Sequence, residues 1–255
     1  MSGPADLRIV AVPDFPLVMA GTDLVAELLR CLKTGSLVLE DHDVVVFAQK
    51  IVSKSEGRQI DLAQVTPSAK ALELSGVVQK DARLVELVLR ESRRVVRTAK
   101  DVLIVEHRLG FIMANAGIDQ SNVSGSNESA LLLPEDPDRS AQRLREQISE
   151  RSGRSVAVLV TDSFGRPWRV GTTGVAIGAA GIASILDLRG TKDMFDRTLR
   201  VSVVGHADEI AAAASLVMGQ GAERRPVVIV RGLAPSADHN GAQTLLRPPG
   251  EDLFR

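Results

Sequence analysis

The chain contains no tyrosine, one tryptophan and six phenylalanines among 255 residues, an aromatic content of 3%. Binders of single-stranded nucleic acid stack bases on rings along a basic groove, and there are too few rings here to line one. Charge excludes the same class: Lys+Arg total 31 against Asp+Glu 32, a net charge of -1, so no global field gathers nucleic acid or anionic lipid and any anion site must be local. A single cysteine, Cys31, cannot form an intrachain disulfide. The four histidines, His42, His107, His206 and His239, lack HxxxH or Cys/His spacing, which leaves a zinc centre little support. No apolar run is long enough to cross a bilayer, and the N-terminus lacks the basic, apolar, small-residue order of a signal peptide. A soluble protein of the cytoplasm, with neither nucleic acid nor membrane as partner, is expected.

What is present is a hydrophobic content of 44%, enough for one large domain or two small lobes. GTDLVAELLRCLKTG carries Leu24, Val25, Leu28, Leu29 and Leu32 on one stripe, an acceptor side chain in front and Gly35 behind, and reads as a helix. A β-branched run in DHDVVVFAQKIVSKSEGR ends at Gln49, after which Lys50, Lys54 and Arg58 share one face if the segment is helical. DARLVELVLRESRR reads as an amphipathic helix, and DVLIVEHRLGFIMANAG as two strands about a turn at Leu109 and Gly110. PEDPDRSAQRLREQISERSG is a helix entered through proline and closed at Gly153, and HADEIAAAASLVMG one closed at Gly219. SVAVLV is a short buried strand, PVVIVRG a strand ending in Arg231 and Gly232. GVAIGAAGIASILDLRG, rich in Gly and Ala, suggests close backbone packing. Strands and helices interleave without a βαβ period, so the fold class is α+β, with residues 236–255 as a turn-rich arm or tail.

Two aspartates, Asp119 in NAGIDQSNV and Asp162 in VTDSFGRPW, stand just past strand ends, where side chains meet solvent on a fixed backbone. Hard cations such as Mg²⁺ or Mn²⁺ take carboxylate, hydroxyl and amide oxygens, so Asp119, Asp162, Ser163 and Gln220 form a sensible ligand set. Asx-turns that merely end two strands account for the same aspartates. The Lys50, Lys54, Arg58 row suits phosphates or a solvated helix face. VMGQGAERRP is no P-loop: it leaves a helix C-terminus, so phosphate there needs a backbone nest or Arg224 and Arg225. In TDSFGRPWRVGTTG the only Trp lies between Arg166 and Arg169, planar donors for carboxylate or phosphate that equally suit a structural stack on the indole. Ser-His-Asp, Cys-His, GxSxG and post-strand GxGxxG patterns are absent.

AQKIVSKSEGR, FIMANAGIDQSNV, LLPEDPDRSA, VTDSFGRPWRVGTTGVAIGAAGI, ADEIAAAASLVMGQ and PVVIVRG, in this order over about residues 8 to 233, resemble the coenzyme F-420-0:L-glutamate ligase, or gamma-glutamyl ligase, family. The resemblance implies a family-specific α+β fold of mixed and antiparallel sheets with helices in two lobes, a ligase domain over 1–235, and a homodimer. It implies GTP-dependent attachment of L-glutamate to the carboxylate of the deazaflavin coenzyme precursor through an acyl phosphate, followed by gamma-linked glutamates. Mn²⁺ or Mg²⁺, with K⁺ in support, is the implied ion requirement. Carried across, Asp119, Asp162, Ser163 and Gln220 match the metal positions. Nucleotide contacts fall on Phe15, Pro16, Leu17 and Val18, on Gln49, Lys54 and Asn122, and on Met218, Gly219, Gln220, Gly221, Ala222, Glu223, Arg224 and Arg225. Lys54 would steady phosphate oxygens, while Arg166 and Arg169 would take the carboxylates of glutamate or the coenzyme's phosphate.

Two positions depart from the family pattern: GTTG replaces GQTD, leaving Gly174 without a carboxylate, and DMFDRTL puts Asp196 where Gly is usual. FPLVMAGTDL replaces the usual GLPE or GIPL opening. These departures keep two other readings open, a non-catalytic paralogue that binds deazaflavin or nucleotide, and a metal-dependent enzyme for another phosphorylated acid. GAQTLLRPPGEDLFR is similar to the segment that, in two-domain actinobacterial versions, leads into a nitroreductase-like domain, so the chain is expected to be either a standalone ligase or cut from a two-domain protein.

Overall fold

A computed structural model describes residues 6–123, 128–235 and 239–252. Residues 1–5 and 124–127 of the expected ligase domain, and 236–238 and 253–255 of the expected arm, lie outside the described residues. In chain order the regular elements are β1 (Arg8–Ala11), α1 (Leu24–Thr34), β2 (Val44–Ala48), α2 (Gln49–Ser55), β3 (Gln59–Asp61), α3 (Ala69–Val78) and α4 (Ala82–Arg90). They continue with β4 (Ser92–Ala99), β5 (Val102–His107), β6 (Ile112–Ala114), β7 (Ser129–Leu131), α5 (Pro137–Ser152), β8 (Ala157–Arg166) and β9 (Arg169–Ala180). β10 (Leu186–Asp187), β11 (Val203–Val204), α6 (His206–Met218) and β12 (Val227–Arg231) complete the set. The class is α+β, as the irregular interleaving of elements implies.

The principal sheet has the order β1-β12-β2-β8-β9, with β2 and β8 parallel and every other pair antiparallel. All of β2, the stretch 227–230 of β12 and the stretch 157–160 of β8 are apolar because both faces are covered there. Val45, Phe47, Val158, Val160, Val227 and Ile229 enter one core, which α1 and α5 close with Leu28, Leu32, Leu144 and Ile148. Val44, Val46, Leu159, Val228 and Val230 enter the other, under Ile210, Ala211 and Ala214 of α6. Asp23 caps α1 by accepting from the Val25 and Ala26 N–H groups, and Gly153 ends α5 in a left-handed conformation. A separate three-stranded sheet, β4-β5-β6, packs on α3 and α4 through Ala71, Val85, Val88, Leu103 and Val105. Phe111 meets Phe164 edge-on at 5.9 Å, tying this unit to β8.

Three sequence expectations change. The helix expected over DARLVELVLRESRR stops at Arg90, and Ser92 already begins β4, where Val95 pairs with Val105. The strand SVAVLV continues to Arg166, because β9 answers its backbone groups along a long hairpin, so Asp162 lies inside a strand rather than past its end. Arg58 leaves the lysine face: α2 ends at Ser55, Gly57 turns the chain at φ 71°, and the guanidinium reaches the Leu133 carbonyl, Glu91 and Glu135. The Gly and Ala of β9 do serve close packing. A Cβ on Gly174 would strike the Ala211 carbonyl of α6, and one on Gly178 the Pro137 carbonyl of α5.

The expected C-terminal segment is turn-rich, with short 3-10 turns at Ala242–Leu245 and Pro249–Glu251, and it lies on the body. Asp138 accepts from the Ala242 N–H and Ala242 is buried. Among the described residues no helix is long and apolar enough to cross a membrane.

Candidate functional site

A cleft of about 790 Å³ opens at the carboxyl end of β2 and the middle of β8. The chain enters it at residues 15–19, where Phe15 and Val18 are anchored in the core and leave Leu17 and Met19 exposed along the rim. α2 supplies Gln49 and Lys50 from its first turn and Lys54 from its last, β8 supplies Thr161, Asp162 and Ser163, and the loop after α6 closes the far side. Every residue expected at the nucleotide lines this cleft, as do Asp162, Ser163 and Gln220.

A register shift in the β8–β9 ladder falls between Val160 and Thr161, so that Asp162 pairs with Val175 and Ser163 with Gly174. Such a bulge re-aims the side chains that follow it. Asp119 reaches the same place from another direction. After the left-handed pair Asn115 and Ala116, the chain bridges Leu131 through both backbone bonds of Asp119. Asp119 does not line the cleft itself but stands behind Lys50, whose Nζ lies 2.6 Å from Asp119 Oδ2. Its Oδ1 accepts from the Ser121 N–H at 2.7 Å, the Asx geometry anticipated for a strand-end aspartate. Lys54 Nζ donates to the Asn122 carbonyl at 2.7 Å, so both lysines of α2 grip the 119–122 segment.

The charges of the site are unevenly matched. Burial raises the Asp162 carboxyl, to about 6; the Ser163 N–H and Lys50 oppose this, and the charge of Asp119 reinforces it. Burial also pushes Asp119 up, but Lys50 and the Ser121 N–H outweigh it and hold that group below the usual carboxylate range. Lys54 is lowered by burial and by the charge of Lys50. Among the described residues no group of three or more His, Cys, Asp or Glu side chains is arranged so that it could hold a metal ion by itself. Two carboxylates, a hydroxyl and an amide, all oxygen donors and one of them short of positive charge, suit a hard cation that completes its shell with water or phosphate oxygens.

The glycine loop is filled from within. Glu223 Oε2 accepts from the Gly221 N–H at 2.8 Å, and Gly219, at φ 74°, lies where any Cβ would meet the Glu223 carboxyl. Gln49 is buried and donates to Ser53 Oγ and the Leu132 carbonyl.

Arg166 and Arg169 are not brought to the cleft lining. They face each other across the hairpin tip, where Pro167 and Trp168 make the turn and Trp168, at φ 64°, is almost wholly exposed. Among the described residues the cation–π contact found is Arg197 over Phe195, not an arginine on the indole. Arg166 does keep one buried, unpartnered nitrogen, Nη1. Sequence reasoning passed over Met19, Thr161 and Ser215 as lining residues. Ser215, four residues before Gly219 on α6, carried the one readable signal, since that spacing puts it on the loop's side of the helix.

The profile of the F420-0:Gamma-glutamyl ligase family matches residues 14–232. The chain belongs to this family. It is 43% identical over 251 residues to the coenzyme F420:L-glutamate ligase of Methanothermobacter thermautotrophicus, across 98% of this chain and 99% of that one. It is 43% identical to the ligase of the same name from Methanopyrus kandleri over the full length of both, and 40% identical to that of Methanocaldococcus jannaschii over 85% of this chain and 86% of that one.

Structure accounts for the two departures from the family pattern. Gly174 lines the cleft where α6 presses on β9, so a carboxylate here would collide with Ala211 and Ser215 unless the helix moved. Asp196 sits in a surface turn at φ 60°, a left-handed conformation natural to Gly and tolerated by Asp, held by the Asp193 carbonyl. It lies outside the cleft lining.

Proposed function

We propose that the chain joins L-glutamate, through its amino group, to the terminal carboxylate of the deazaflavin coenzyme F-420 precursor at the expense of GTP, and then adds gamma-linked glutamates. The observation that carries this reading is the convergence of Asp162, Lys54 and the glycine loop on one cleft, with Asp119 behind Lys50, in a chain whose full-length relatives are named for that ligation. A cleft of about 790 Å³ is of the size that takes a cofactor-sized ligand.

A carboxylate must be activated before an amine displaces its oxygen, and phosphoryl transfer from GTP to that oxygen gives an acyl phosphate. Asp119, Asp162, Ser163 and Gln220 would hold Mn²⁺ or Mg²⁺, which supplies charge neutralisation at the phosphates when bound. Lys54 places an ammonium against phosphate oxygens, with Arg224 and Arg225 on the rim of the same cleft. Arg166 and Arg169, away from the lining, fit the outer carboxylates of glutamate or the coenzyme's phosphate. No protein nucleophile is needed, so positioning and electrostatics carry the rate.

The two-lobed arrangement is supported by the separate core of the β4-β5-β6 unit. A homodimer is supported by exposed apolar side chains at the hairpin tip and along the β10–β11 connection, Trp168, Val170, Met194, Phe195 and Val201. Incubating the protein with precursor, glutamate, Mn²⁺, K⁺ and either GTP or ATP, followed by mass spectrometry, tests the reaction. Glutamylated product with GTP well above ATP is expected. Bound deazaflavin with no product would favour the non-catalytic paralogue, and turnover of a different acid the third reading.

A further inference from the structure

Lys50 Nζ sits among three oxygens of different kinds: Asp119 Oδ2 at 2.6 Å and the carbonyl and hydroxyl oxygens of Ser121, both at 3.0 Å. Carboxylate, carbonyl and hydroxyl are the donors a hard cation selects. The lysine side chain is part-exposed and lines the cleft, so it can leave this cage without unpacking the core. Asp162, the second carboxylate of the site, feels the charges of both Asp119 and Lys50.

We infer that the Lys50 ammonium is an internal stand-in for the divalent cation: it occupies the Asp119 position in the free protein, yields it when metal enters, and swings to the nucleotide polyphosphate. This rests on the metal reading above. An ammonium and a divalent ion cannot share one carboxylate edge at close range, because their repulsion in a half-buried site is large. Metal and nucleotide then bind with positive coupling, since each gives the displaced charge its reason to move. A lysine that served only to tie α2 to the 119–122 segment would have no such effect.

The test is Mn²⁺ titration followed by the electron paramagnetic resonance of the free ion, on wild type, Lys50→Met, Lys50→Gln and Asp162→Asn, with and without a non-hydrolysable GTP analogue. Lys50→Met and Lys50→Gln should bind Mn²⁺ alone roughly 5-fold more tightly, as removal of one competing ion pair allows. In the presence of Mn²⁺ the same variants should bind the GTP analogue several-fold more weakly. Opposite changes in the two affinities support the inference, whereas misfolding or a purely structural role weakens both. Unchanged or weaker binding of Mn²⁺ alone by both variants, with wild-type binding present and lost in Asp162→Asn, overturns the inference and leaves the metal reading standing. A wild-type protein that binds no Mn²⁺ with or without nucleotide overturns both.

Discussion

Glu91, at the end of α4, has guanidinium nitrogens of Arg58 and Arg108 at 3.1 Å and Nε2 of the buried His107 at 3.5 Å; Asp162, midway along β8, has the Ser163 N–H and, beyond it, one negative and one positive charge. Burial pushes both carboxyls up. At Glu91 the neighbouring His107 imidazole and the two arginines outweigh burial and bring the group down to about 2, whereas at Asp162 burial prevails and leaves it at about 6. A carboxylate that serves the fold finds its counter-charges within the chain. One left short of them, in a cleft, is where the proposed reading puts a positive charge from outside.

The largest effect expected from this contrast is on activity. Asp162→Asn should lower metal-dependent ligation by more than about 100-fold, since loss of even a supporting group around a metal ligand costs 10- to 100-fold. Initial rates beside a circular dichroism spectrum check it, and full activity in a folded variant removes the metal assignment. Glu91→Gln comes next, with a loss of roughly 2 to 3 kcal/mol at neutral pH for breaking an enclosed ion cluster. The sign follows from a folded pKa depressed to about 2. The contribution of Glu91 is complete above the unfolded value near 4.5 and disappears as pH falls towards 2. Urea midpoints of wild type and variant should therefore converge in acid.

Asp162→Asn should act on stability in the other direction, by a smaller amount. A folded pKa raised to about 6 means that this carboxyl favours the folded state fully below the unfolded value of 3.8 and loses that favour as pH rises through 6. Removing the charge should raise metal-free stability by about 1 to 2 kcal/mol at pH 7 and by nothing near pH 3. A destabilised variant at pH 7 would show that Asp162 already has its counter-charge. The smallest effect belongs to Glu223, an exposed carboxylate that occupies the Gly221 N–H. Glu223→Gln should tighten nucleotide binding by about 2- to 3-fold, as a surface-exposed charge competing for one donor allows. Calorimetry with the GTP analogue reads the change.

Local signals made much of the fold legible. α1, α5 and α6 were marked by Asp23, Pro137, Gly153 and Gly219, and β2 and β12 by runs that are apolar because both faces are covered. What depended on a distant partner was not. The extension of β8 through Asp162 needs β9, and the turn that carries Arg58 off the lysine face is set by Gly57 together with Leu133, Glu91 and Glu135. At the site, the nucleotide segments carried over from the family resemblance do share one cleft, yet no spacing rule shows that Lys50 answers Asp119 or that Glu223 folds into its own glycine loop. Nor does the string TDSFGRPWRVGTTG show that Arg166 and Arg169 face each other at a hairpin tip beside an exposed Trp168, outside the cleft lining.

Anomalous scattering from crystals grown with Mn²⁺ and a non-hydrolysable GTP analogue addresses the metal assignment most directly. A manganese peak within coordination distance of carboxylate oxygens of both Asp119 and Asp162, with Lys50 moved to the phosphates, is the predicted result. A peak elsewhere in the cleft, with Lys50 still on Asp119, would contradict it.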